Sequence, residues 1–163
     1  MQPKLSKYLA TETIGSAIVN IITNSGFAYL IYHGRPRIPS LGHGGLIEDS
    51  IGQTFIITFL CFLIPSILTR KRRYAGTHSA FVLDSPAPDG RAAVKSRDLY
   101  LRSFIAGVVF TVIAWALNAF LMPRVFPDGL SFGHTVIYKT AYGVVVALIA
   151  TALALSMVLR EPE

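Results

Sequence analysis

The stretch Phe104–Met122, FIAGVVFTVIAWALNAFLM, contains no Asp, Glu, Lys or Arg. A helix rises about 1.5 Å per residue, so about 20 such residues cross a hydrocarbon core of about 30 Å. Three further stretches read the same way: Ile14–Tyr32, Ile51–Thr69 and Thr140–Leu159. The chain has 163 residues, 52% of them apolar, and is read as a single transmembrane domain. The fold class is all-α, an integral membrane four-helix bundle, with residues 70–103 as its longest loop.

The basic residues set the expected orientation. The N-terminal tail, the middle loop and the C-terminal tail carry Lys4, Lys7, Arg70, Lys71, Arg72, Arg73, Arg91, Lys95, Arg97, Arg102 and Arg160. The first and third loops carry only Arg35, Arg37, Arg124 and Lys139. Positive charge stays on the cytoplasmic side of short loops, so both termini and the middle loop are expected to be cytoplasmic. The expected location is a bacterial inner (cytoplasmic) membrane. The run Arg70-Lys71-Arg72-Arg73 is expected among anionic lipid headgroups, at about 1 kcal/mol per charge. The formal charge of +6 is therefore assigned to the bilayer surface, not to nucleic acid.

Lys4 and Lys7 before an apolar run resemble a signal peptide. Asn20 and Asn24 interrupt that run, and no small-residue cleavage site follows, so it is read as a retained first helix. The only cysteine, Cys61, lies inside the second span and has no second thiol to pair with. It is read as a small core residue.

The first span is the most polar. Glu12, Ser16, Asn20 and Asn24 recur every fourth residue and share one helical stripe. Lipid cannot satisfy an Asn amide, so the stripe must face other helices or water. It serves either as packing, worth about 0.6–2 kcal/mol per interhelical bond, or as the lining of a solute or proton path. Glu12 is read as an interfacial carboxylate in the first turn or as a buried titrating site.

The third span aligns Gly107, Thr111, Ala114 and Asn118. The fourth aligns Gly143, Ala147, Ala150 and Ala154. Small residues at this spacing let backbones approach closely in lipid. The two spans are expected to pack on each other through these seams, with Asn118 bonding across the bundle. Internal repeat symmetry is weak in the sequence. Pro65 should kink the second helix, and Trp115, near mid-span, is read as a packing or binding-surface residue.

The loops expected outside carry His33, His43 and His134 with Glu48, Asp49 and Asp128. His and carboxylate ligate zinc and similar metals, but the spacing matches no zinc motif. His33, His43, Asp49 and His134 are the weak metal candidates. Asp49 or Ser50 is the expected N-cap of the second helix. Leu41, Leu46 and Ile47 suggest that the first loop folds back onto the bundle. The middle loop holds a turn-rich linker, Asp84–Gly90.

No HExxH, GxSxG, Walker or GxGxxG motif is present, and no cofactor is indicated. Glu12-Thr13-Ile14-Gly15-Ser16, near the start of the first of four helices, resembles the small multidrug resistance transporters. That resemblance implies Glu12 as a residue binding cation and proton alternately, and Trp115 as a substrate contact. It covers five residues, and the middle loop here is longer than that family's tight turns. The leading expectation is a non-catalytic accessory or assembly subunit of a larger membrane complex, with a protein partner or a homo-oligomer formed through helix faces. The alternative is a small oligomeric transporter or channel using the polar stripe. A second alternative is a membrane enzyme or metal site on the outer face.

Overall fold

The computed structural model describes residues 3–74 and 96–159. Among them are four long helices: α1 (Pro3–Tyr32), α2 (Leu46–Tyr74), α3 (Ser96–Val125) and α4 (Phe132–Val158). All four are long and apolar enough to cross a membrane. The Asp84–Gly90 linker lies outside the described residues, as does the side chain of Arg73.

Each helix overruns its apolar stretch, which moves charged residues into helical backbone. α4 begins at Phe132, where Ser131 caps it by accepting the His134 amide. Lys139, read from the sequence as a loop residue, therefore lies inside α4. α2 begins at Leu46, so neither Asp49 nor Ser50 is its N-cap. Asp49 instead lies in the first turn with Glu48, where the helix dipole favours carboxylates. Ser50 donates its hydroxyl to the Ile47 carbonyl at 2.7 Å. The continuous α2 contains Pro65.

The helices do not pair as expected. α4 runs along both α1 and α2, and α3 runs along α2, while the α1 and α2 backbones stay apart and are bridged by side chains. The predicted α3–α4 seam does not form. Both of its glycines are filled from elsewhere: a Cβ at Gly143 would collide with Asn24 of α1, and one at Gly107 would meet the Phe55 ring of α2 at 3.0 Å. Ala147, Ala150 and Ala154 of α4 pack instead against Ile57, Cys61 and Phe62 of α2. Ala114 is half-buried. Small residues mark where a neighbour comes close, but they do not say which neighbour.

This arrangement contains a repeat that the residue pattern hides. α1 and α3 have 30 residues each. Each is followed after a short turn by a two-residue strand, β1 (Arg37–Ile38) or β2 (Leu130–Ser131), and then by a second helix. The strands pair with each other antiparallel, Arg37 opposite Ser131 and Ile38 opposite Leu130. Each hairpin's first helix packs on the other hairpin's second helix. The two units thus repeat in architecture although their side chains differ.

The strand pair anchors a folded cap. Ile38, Leu46, Ile47 and Leu130 are buried with Tyr32 and Met122, so the first loop does return to the bundle, although Leu41 stays exposed. Ser40 ties the two loops by donating to the Phe126 carbonyl at 2.6 Å. Gly129 has φ +79°, and a Cβ there would collide with the Ile38 carbonyl. Gly129→Ala is therefore expected to cost at least about 1–3 kcal/mol. Thermal unfolding in detergent micelles would show this as a clear drop in Tm, whereas an unchanged Tm would contradict the cap geometry.

Candidate functional site

A cleft of about 740 Å³ lies between α1 and α2, with Lys139 of α4 in its wall. It exists because α1 leans on α4 and leaves α2 uncovered on that side. Gly15 and Gly52 line it, and a Cβ at either would meet nothing within 4 Å. The apolar walls come from Val19, Phe27, Ile56, Leu60, Ile64 and Leu68.

The polar stripe of α1 faces this cleft. Asn20 donates to the Ser16 carbonyl at 2.9 Å and to Cys61 Sγ at 3.7 Å. Asn24 donates to the Asn20 carbonyl at 2.8 Å. The Ser16 hydroxyl accepts from Thr151 of α4 at 2.9 Å. Gln53 of α2 completes the wall, with Nε2 donating to Asn24 Oδ1 at 2.7 Å and to the Lys139 carbonyl at 3.1 Å. Most amide donors are thus used inside the bundle, and the side-chain oxygens keep spare lone pairs. Gln53 carries no signal in the residue pattern, because it falls on no polar stripe of its own.

At the hairpin end of the cleft, Lys139 forms an ion pair with Asp49. The Lys139 side chain is 5% exposed and that of Asp49 30%. Tyr32 donates to the same carboxylate oxygen, Asp49 Oδ2, at 2.7 Å. At the other end, Arg72 pairs with Glu12, and the Tyr8 hydroxyl lies 3.3 Å from Arg72 Nη1. Asp49 and Arg72 are both on α2, 23 residues apart, which is about 35 Å along a helix axis. The cleft therefore connects two charge pairs separated by about the depth of a bilayer core.

Other sequence expectations are redistributed. Glu12, which the transporter resemblance singled out, is paired with Arg72. Arg70 is only 7% exposed, and Lys71 is exposed. Asn118 accepts from the Tyr138 hydroxyl of α4 at 2.7 Å, away from the cleft. Trp115 is 48% exposed and does not line the cleft.

The metal candidates are not brought together. His33 packs on the rings of Tyr29 and Phe132. His43 is exposed beside Glu48 at 3.5 Å, and His134 Nδ1 lies 2.8 Å from the capping Ser131 hydroxyl. Asp49 is committed to Lys139. Among the described residues no group of three or more His, Cys, Asp or Glu could hold a metal ion.

No known family, curated protein or solved structure matches the chain. The chemistry of the cleft is therefore the basis for any functional reading.

Proposed function

We propose that this chain moves an amphipathic molecule across the membrane along the α1–α2 cleft. The observation that carries this is the cleft's continuity between two ion pairs, Asp49–Lys139 and Glu12–Arg72, with a hydrogen-bonding wall between them. An ionisable group at membrane depth is costly unless it is paired or functional. The pairs offer a polar head a charged station at each end. Ser16, Asn20, Asn24 and Gln53 offer it oxygens on the way. The apolar tail stays in lipid at the open side, so no oligomer is needed to enclose a water-filled route. With the basic residues read as positive-inside, the Glu12–Arg72 end faces the cytoplasm.

The test is reconstitution into vesicles containing a phospholipid labelled on its head with a dithionite-reducible dye. Active protein exposes label from both leaflets to external dithionite. Loss of only the outer-leaflet fraction, as in protein-free vesicles, would overturn the proposal.

The accessory-subunit reading keeps one supporting observation. α3 packs mainly on α2 and leaves Leu101, Ile105, Val108 and Val112 exposed, an apolar face suited to helix docking. Asn20→Leu separates the two readings. It should abolish dye-lipid movement while leaving any association through α3 intact, and a partner lost together with Asn20 would favour docking in the cleft instead.

A further inference from the structure

We infer that the head recognised at the hairpin end of the cleft is a zwitterion with a primary ammonium, carried on an acyl chain as in phosphatidylethanolamine. This inference rests on the transport reading and names its substrate class.

The first argument is charge. Each ion pair is electroneutral, so a ligand of net charge would leave one charge uncompensated at the membrane boundary. A zwitterion exchanges partners within the Asp49–Lys139 pair and leaves the total unchanged. Its anionic oxygens take Lys139, which has three N–H donors and bonds only Asp49 among the described residues. Its ammonium takes Asp49 Oδ1, because Tyr32 and Lys139 both bond Oδ2.

The second argument is an unmet hydrogen bond. Gln53 Oε1 is buried and has no partner. Reversing the amide would set its oxygen against Asn24 Oδ1 and the Lys139 carbonyl, so the assignment holds. An orphaned buried acceptor calls for a donor. Gln53 is four residues from Asp49, on the same face of α2. A primary ammonium has N–H groups for both oxygens, and a quaternary ammonium has none.

The third argument is depth. α4 has 27 residues, about 40 Å, against a hydrocarbon core of about 30 Å. If α4 is centred, its end lies about 5 Å outside the core, and Lys139, about 10 Å from that end, is about 5 Å inside it. A lipid head reaches that level while its chain follows Ile56 and Leu60 into the cleft.

The experiment is lipid exchange onto detergent-purified protein, read by native mass spectrometry. The probes are phosphatidylethanolamine, phosphatidylcholine, phosphatidylglycerol and water-soluble glycerophosphoethanolamine. Phosphatidylethanolamine should bind about tenfold more tightly than phosphatidylcholine, the effect of one hydrogen bond to a charged donor. Gln53→Leu should lower that preference, because the ammonium then keeps only Asp49 Oδ1, and should leave phosphatidylcholine binding unchanged. A melting curve confirms that the variant is folded. Tightest binding of phosphatidylglycerol, equal binding of the two zwitterions to the wild type, or equal competition by the soluble head group would each overturn the inference. Dye-lipid movement without the head preference would sink this inference alone. A head preference without movement would sink the transport reading and leave the site standing.

Discussion

Asp49→Ala is expected to lower the unfolding free energy by about 3–5 kcal/mol, because it strands a buried cation. Lys139 is the more deeply enclosed partner, 5% exposed against 30% for Asp49. Lys139→Met should therefore cost less than Asp49→Ala, since the remaining carboxylate still reaches solvent and keeps the Tyr32 hydroxyl. The double variant should recover most of the loss, because removing both charges also removes their desolvation cost. Denaturant titration in mixed micelles would rank the variants as wild type, double, Lys139→Met, Asp49→Ala. None of the three variants should move dye-labelled lipid. A double variant less stable than Asp49→Ala would mean that the two residues do not form a pair.

Gly143→Leu is the second large effect. Asn24 occupies the space above Gly143, so a side chain there must expel it. Overpacking alone costs about 1–3 kcal/mol. Displacing Asn24 also breaks its bonds to the Asn20 carbonyl and from Gln53, leaving buried groups unsatisfied at about 1–3 kcal/mol each. The total should be at least about 3 kcal/mol, with α1 pushed off α4. Asn24→Ala in the same chain should relieve part of it, giving a coupling energy in a double-mutant cycle. Gly26 supplies the control. A Cβ there meets nothing within 4 Å, and Gly26→Ala in a helix interior should be neutral or stabilising by up to about 1 kcal/mol. Equal losses at Gly143 and Gly26 would refute the α1–α4 packing.

The four spans were legible because lipid demands long uncharged runs, and composition alone reveals them. The pairing of helices was not legible. Gly107 and Gly143 were visible as points of close approach, but their occupants, Phe55 and Asn24, came from α2 and α1. The polar stripe of α1 was read as facing other helices or water, and Ser16, Asn20 and Asn24 line the cleft, while the glutamine completing its wall had no periodic signal. The Asp49–Lys139 pair was missed for a simple reason. Each residue lay just beyond an apolar run and was read as a loop residue, and 90 positions of sequence separate them. Five residues resembling a transporter motif do not reveal that Arg72, sixty positions later, neutralises the Glu12 carboxylate. The two-residue strands were too short for any pattern, yet they show the doubled architecture of the hairpins.

Under the transport proposal, the space between α1 and α2 is the working part of the molecule. Filling it tests this directly. Gly15 and Gly52 both line the cleft of about 740 Å³, and a Cβ at either meets nothing within 4 Å, so Gly15→Trp with Gly52→Trp enters the open space, and a melting curve checks that the variant folds. Dye-lipid movement in vesicles containing this double variant is the measurement. Movement should fall to the protein-free rate, and wild-type movement through a folded, filled cleft would overturn the transport proposal.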